Sequence, residues 1–297
     1  MDRFDAMRIF TRVVERRSFT LAAEDLGVPR STLSDVVKQL EGRLGVRLLQ
    51  RTTRHVSPTL DGEAYYQRCL NILAEVEDAE GAFAGAKPKG LLSVDVQGTL
   101  ARHWVFPRLP EFFRAYPGIE LRISEGDRFV DLIREGVDCV LRVGVPPVSD
   151  MIARRLAVLE EITLASPGYI AAHGLPHQPN DLRQGHLMVG FHSSATGAVL
   201  PLEFTVDGKV SKLALPSIMS VTAAESYYAA AVHGFGLVQV PRYHADADLQ
   251  SGRMVEVLPE YPPTRTPVSV IYPRSRQLSP RVRAFIDWLT AVFERCS

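Results

Sequence analysis

Cysteine is scarce in this chain of 297 residues: Cys69, Cys139 and Cys296 stand far apart and form no CxxC pair. A disulfide framework and a zinc knuckle are thereby excluded, and a reducing cytoplasm is the compartment expected. An excess of charge of one sign is also missing, since 34 basic side chains balance 34 acidic ones and the total points to no partner. No apolar run approaches the length of a membrane span, and the opening MDRFDAMRIFTRVVERRSF is charged every few residues where a signal peptide would be apolar. Neither a membrane nor a secretory destination is expected. Catalytic signatures are absent as well: the chain has no GxSxG elbow, no HExxH and no GxxxxGK[ST] loop, and Gly234 and Gly236 lack the third glycine of a dinucleotide loop. No enzyme and no cofactor is expected. His173 and His177 have a metal-like spacing, but Gly174 and Pro176 between them break any shared helical face, so no metal site is expected either.

What is present is an ordinary globular composition, 46% hydrophobic and 23% charged, in a chain longer than one core usually serves. Two domains follow. Charge is unevenly placed between them. From Val28 to Ser57, Arg30, Lys38, Arg43, Arg47, Arg51 and Arg54 face only Asp35 and Glu41, whereas from Pro58 to Ala86 six acids face only Arg68. The first stretch can hold a polyanion and the second repels one, unless both are merely solvated helix faces.

Local signals favour the polyanion. Phe4, Met7, Phe10 and Val13 recur at helical spacing until Arg16-Arg17-Ser18 ends the run. Ser18 or Thr20 can cap a short second helix whose Ala22, Ala23 and Leu26 face inward, and Gly27 makes the turn. Pro29 suits the start of a third helix with the apolar stripe Leu33, Val36, Val37, Leu40 and Leu44, which leaves Arg30, Ser31, Thr32, Ser34, Asp35 and Lys38 to face a groove. VRLLQRTTRHVSPT then reads as a two-stranded wing carrying Arg51 and Arg54. The segment FTLAAEDLGVPRSTLSDVVKQLEGRLGVRLLQRTTRHVSPT resembles the N-terminal signature of the LysR-type transcriptional regulators. It departs from many of them at Pro29-Arg30, where they have Ser-Gln, and at Asp35, where they have a basic residue. Asp35 either accepts a hydrogen bond from cytosine N4 or orients Arg30 or Lys38.

Residues 59–84 contain no proline and carry Tyr66, Leu70, Leu73, Val76 and Phe83 on a helix spanning roughly 40 Å. The resemblance implies that this helix pairs antiparallel with its twin, setting two heads over an inverted repeat in double-stranded DNA; packing on its own domain is the alternative. GAKPKG breaks it as a hinge. Beyond lies βαβ alternation, LLSVDV, GIELRIS and VDCVLRVG, followed by EITLAS, GHLMVGF, LEFTV, KVSKLAL, SIMSV, the helix TAAESYYAAAVHG, FGLVQVP, PVSVIYP and a last helix PRVRAFIDWLTAVF. The chain is thus expected to be α/β: an all-α winged helix-turn-helix over 1–58, a linker helix and hinge over 59–89, and an effector domain over 90–297. The last resembles the family's two-lobed periplasmic-binding-protein-like domain, lobe one being about 90–160 and 266–297 and lobe two about 161–265.

Strand ends and helix starts meet at such a cleft, where unpaired backbone N–H groups can hold a small-molecule effector such as a carboxylate. Gly98, Thr99 and Leu100 on one side and Thr222 and Ala223 on the other are the candidate contacts, with Val145, Pro146, Phe191 and His192 lining the walls. The resemblance further implies a dimer, a dimer of dimers, and RNA polymerase as a partner.

Overall fold

The computed structural model describes residues 2–51, 56–83, 87–128, 132–146, 150–194, 196–274 and 278–295. Helix α1 (Arg3–Arg16) begins at a capping box in which the Asp2 carboxylate accepts from Asp5 N at 2.7 Å and Asp5 accepts from Asp2 N at 3.1 Å. Of the two candidate caps for α2 (Phe19–Leu26) it is Ser18 that accepts, from Leu21 N at 3.3 Å. Gly27, at φ +64°, turns the chain where another residue would be strained. Pro29 then stands one residue ahead of α3 (Arg30–Leu44). Arg16 forks onto Asp25 and ties α1 to α2, while Phe10, Val13, Ala22, Leu33 and Val37 are fully buried where the three helices cross.

The wing pairs β1 (Leu49–Arg51) with β2 (Val56–Pro58), Leu49 opposite Pro58 and Arg51 opposite Val56. Its root is fixed by Glu41 of α3, whose carboxylate accepts from Leu48 N at 2.8 Å and Leu49 N at 3.0 Å. The long helix α4 (Leu60–Phe83) starts hard against this root: an added Cβ at Gly62 would stand 1.9 Å from the Leu48 carbonyl oxygen. Tyr65 packs on Phe10 at 5.4 Å between ring centroids, and Cys69 is fully buried in the same core. The early turns of α4 therefore belong to the winged head, and Leu73 continues their buried face.

The second half of the chain is built on a five-stranded and a three-stranded sheet, with two two-stranded pairs, one of them the antiparallel hairpin of Leu202–Val206 with Lys209–Leu213. In lobe one, β3 (Gly90–Val96), β4 (Ile119–Glu125) and β5 (Cys139–Val143) are parallel neighbours in the order β4-β3-β5. Strand Thr266–Pro273 returns to lie antiparallel between β5 and β6 (Met151–Leu159). Strand β6 is not among the sequence expectations, and the cause is a bulge. Its register against the returning strand shifts between Val268 and Ser269, so that Ala157 and Arg155 face consecutive partners and the in-out alternation is lost. A helical run over 98–115 covers one face of this sheet with helix Pro280–Glu294. It is α over Gly98–Leu100, π over Ala101–Val105, 3-10 over Phe106–Arg108 and α again over Leu109–Ala115. Leu92, Val94, Val96, Phe112, Phe285, Leu289 and Phe293 form the core between them.

In lobe two, β7 (Glu161–Ala165) lies antiparallel between Val238–Pro241 and Val255–Glu256. A Met188–Leu237 bridge continues this sheet to Gly190–Phe191 and Ser220–Val221. Helix Ala224–Val232 packs on it through Tyr227, Tyr228, Ala230 and Ala231. Two helices unforeseen in the sequence, Pro167–His173 and Arg242–Gln250, complete the lobe.

Candidate nucleic-acid interface and effector cleft

On α3 the buried residues Leu33, Val37 and Leu40 define one face. At about 100° per residue the opposite stripe consists of Ser31, Asp35, Lys38 and Gly42, all exposed. Arg30 at the helix start is exposed as well, and Thr32 and Ser34 are half-buried at its flanks. Arg51 ends β1, its backbone paired with Val56. Arg54 lies outside the described residues. All six predicted groove residues thus share one helix, with Arg30 as its first residue, about 140° around the axis from Asp35.

The predicted effector contacts divide differently. Gly98 starts the 98–115 run at the carboxyl end of β3, but Leu100 is fully buried in the lobe-one core and turns away from the cleft. Thr99 is 2% exposed, and its hydroxyl is engaged by Gln97 Oε1 and by Tyr243 Oη of lobe two, each at 2.7 Å. Thr222 is exposed and Ala223 is the residue ahead of helix Ala224–Val232. His192 is held by Gly197 O at 3.0 Å and Ser220 Oγ at 2.9 Å, and Phe191 packs on Tyr227 at 5.1 Å. Val145 is 81% exposed beside the half-buried Pro146.

Between the lobes lies a polar cluster that sequence reasoning missed. Arg102 Nη1 donates to Gly98 O at 2.9 Å and stands 2.9 Å from Glu125 of β4 and 3.2 Å from Glu225 of lobe two. Just past β4, Asp127 accepts from Ala224 N at 3.1 Å, so a carboxylate of lobe one occupies the first N–H of the lobe-two helix. His244 stands 3.6 Å from Glu225, with the His103 ring 5.6 Å away and the Tyr228 ring stacked on it at 4.4 Å. Burial holds the His244 imidazole below its ordinary pKa, against the pull of Glu225. No spacing in the sequence joins Arg102, Asp127, Glu225 and His244; only the crossing of the two lobes does. Among the described residues no group of His, Cys, Asp and Glu could hold a metal ion, and no helix is long and apolar enough to cross a membrane.

A family model for bacterial regulatory helix-turn-helix proteins of the lysR family matches residues 4–63, and one for the LysR substrate binding domain matches residues 85–294. The chain belongs to the LysR family of transcription regulators. Among LysR-type relatives it is 36% identical to the HTH-type transcriptional regulator YhjC of Escherichia coli over 99% of both chains. It is 37% identical to an HTH-type transcriptional repressor of Pseudomonas aeruginosa, over 99% of this chain and 93% of that one. The solved structure of CrgA, a LysR-type regulator from Neisseria meningitidis, is 32% identical and superposes with a TM-score of 0.60 over 97% of this chain and 98% of the other. As a LysR-type regulator the chain pairs a DNA-binding helix-turn-helix with an effector-binding domain, the combination that makes transcription responsive to a small molecule. The α/β effector domain behind an α-helical head agrees with the fold class expected from sequence.

Proposed function

We propose that this LysR-type regulator grips an inverted repeat through Arg30, Ser31, Thr32, Ser34, Asp35 and Lys38 of α3, with Arg51 and Arg54 of the wing on the flanking phosphates. Its effector sits between the lobes, bordered by Gly98, Val145, Pro146, Phe191, His192, Thr222 and Ala223. Paired α4 helices join two subunits, and two such dimers assemble, leaving surface for RNA polymerase. Residues 1–58, with the first turns of α4 packed on them, act as the head, the rest of 59–89 as linker and hinge, and 90–297 as the sensor, with no catalytic step assigned to any of them.

The observation that carries this reading is the position of β4. Arg122 in its middle donates to Gln67 of α4 at 3.0 Å, Glu125 at its end pairs with Arg102, which reaches Glu225 of lobe two, and Asp127 just beyond accepts from Ala224 N of lobe two. The edge strand and the residue just past it therefore touch both the linker helix and lobe two. An effector that prefers one lobe separation shifts β4, and with it α4, provided that it binds the two arrangements with different affinity. A carboxylate effector would do so by replacing Asp127 on Ala224 N.

The test is a thermal-shift screen of small metabolites on the full chain, followed by footprinting and DNA-bending measurements with each binder. A binder is expected to change operator affinity or bend, and Arg122→Ala is expected to keep the thermal shift while losing that response. Binders that leave both affinity and bend unchanged would refute the coupling. On the DNA side, Arg51→Ala or Arg54→Ala should weaken all duplexes alike, whereas Arg30→Ala should also alter sequence preference, by about 1–3 kcal/mol at the base concerned.

A further inference from the structure

Asp35 is an acid at the centre of a surface that meets a polyanion. It lies opposite the buried face of α3, with Ser31 one turn before it and Lys38 nearly one turn after, and all three are exposed. Gly42 follows on the same stripe, and nothing stands within 4 Å of where its Cβ would be, so the stripe is open at that point among the described residues. Among the described residues Asp35 has no side-chain ion pair or hydrogen-bond partner, although Arg30 and Lys38 share its helix. The acids around it do have structural work: Glu41 holds the wing root, and Asp25 is forked by Arg16. The orienting role that the sequence left open for Asp35 thus has no contact behind it.

A carboxylate on this stripe is repelled by every phosphate it approaches, and as an acceptor it gains nothing from backbone oxygens. The floor of the major groove offers donors, the N6 amine of adenine and the N4 amine of cytosine. Adenine sets its N7 acceptor beside the amine, which opposes a carboxylate and favours an amide. Cytosine presents its amine without an acceptor on its own edge. We infer that Asp35 is a specificity-determining residue of the operator contact, accepting a hydrogen bond from the N4 amine of one cytosine in each half-site. The inference rests on the proposed seating of α3 in the major groove and deepens it.

The experiment is selection of bound duplexes from a randomised pool by the full chain, with Asp35→Ala and Asp35→Asn carried in parallel. Because the side chain is exposed and has no partner among the described residues, both variants are expected to keep the fold, which circular dichroism checks directly. The wild-type protein should require cytosine at one position per half-site, with any other base there weakening binding about 5- to 150-fold. Asp35→Ala should accept all four bases at that position and keep the rest of the sequence. Asp35→Asn should move the preference there from cytosine to adenine, which an amide reads through N6 and N7 together. The inference is overturned if Asp35→Ala selects the same sequence as wild type, or if it binds every duplex more tightly with no change of preference. A wild-type protein that enriches no sequence at all would instead overturn the seating of α3 itself.

Discussion

Gly62 is the point at which the linker helix meets the wing root, and replacing it by alanine separates two effects of opposite sign. In an open helix position the change gains about 1 kcal/mol, because glycine loses more backbone freedom on folding than alanine does. Here the new Cβ would stand 1.9 Å from the Leu48 carbonyl oxygen and 2.9 Å from its carbonyl carbon, both backbone atoms that no rotamer change can move. Ordinary carbon-to-oxygen contact is about 3.3 Å, so α4 and the wing root must part by about 1.4 Å. Overpacking of this severity costs about 3 kcal/mol, the upper part of the range for strained insertions, leaving a net loss of about 2 kcal/mol. For a unit of 60–100 residues that lowers the melting midpoint by about 8–16 °C. Gly42→Ala is the internal control, because it lies on α3 with open space around it and should raise the same midpoint. Differential scanning calorimetry of the full chain reads both. A Gly62→Ala protein that melts with or above the wild type would refute the close approach.

Asp95→Ala strips the ion-pair partner from Arg142, whose guanidinium is bound by Asp95 and Arg128 O, and whose Nε has no partner among the described residues. With both side chains under 8% exposed, the orphaned charge should cost about 3–5 kcal/mol in a urea titration, and Asp95→Ala combined with Arg142→Leu should recover much of it; a loss below about 1 kcal/mol would contradict the buried pair. Burial raises the Glu161 carboxyl from 4.5 to about 7. Its protonated form is the one the fold prefers, so its contribution is complete below about pH 4.5 and is lost as pH rises through about 7, a change of about 3 kcal/mol. Glu161→Gln should flatten that decline in urea midpoints measured between pH 5 and 8, and an unchanged slope would count against it.

The three helices of the head were legible because each signal was local: an apolar face at helical spacing, the Ser18 cap, and glycines at 27 and 45 with left-handed backbone. Strands β3 and β5 were equally plain as short, mostly apolar stretches buried on both faces, despite Ser93, Asp95 and Arg142 within them. Strand β6 was not, because its bulge scrambles the alternation that marks a strand. Leu100 was expected at the cleft because it follows the end of β3, but one helical turn carries its side chain into the core. The polar latch was illegible for a different reason. Arg102, Asp127 and Glu225 are separated by up to 123 residues, and their meeting depends on how the chain crosses twice between lobes, which no window of sequence contains.

The seating of Gly62 on Leu48 gives α4 the mechanics of a rigid lever. At 1.5 Å per residue its 24 residues extend about 36 Å, so a tilt of about 10° at the far end swings the head by roughly 6 Å. That distance approaches two base-pair steps of a duplex, at about 3.4 Å each. Slack between helix and head would absorb such a swing; a joint with room only for hydrogen passes it on undiminished, so with the head pairing proposed above a small rearrangement in the sensor would reach the promoter as a change in the spacing that two heads can span.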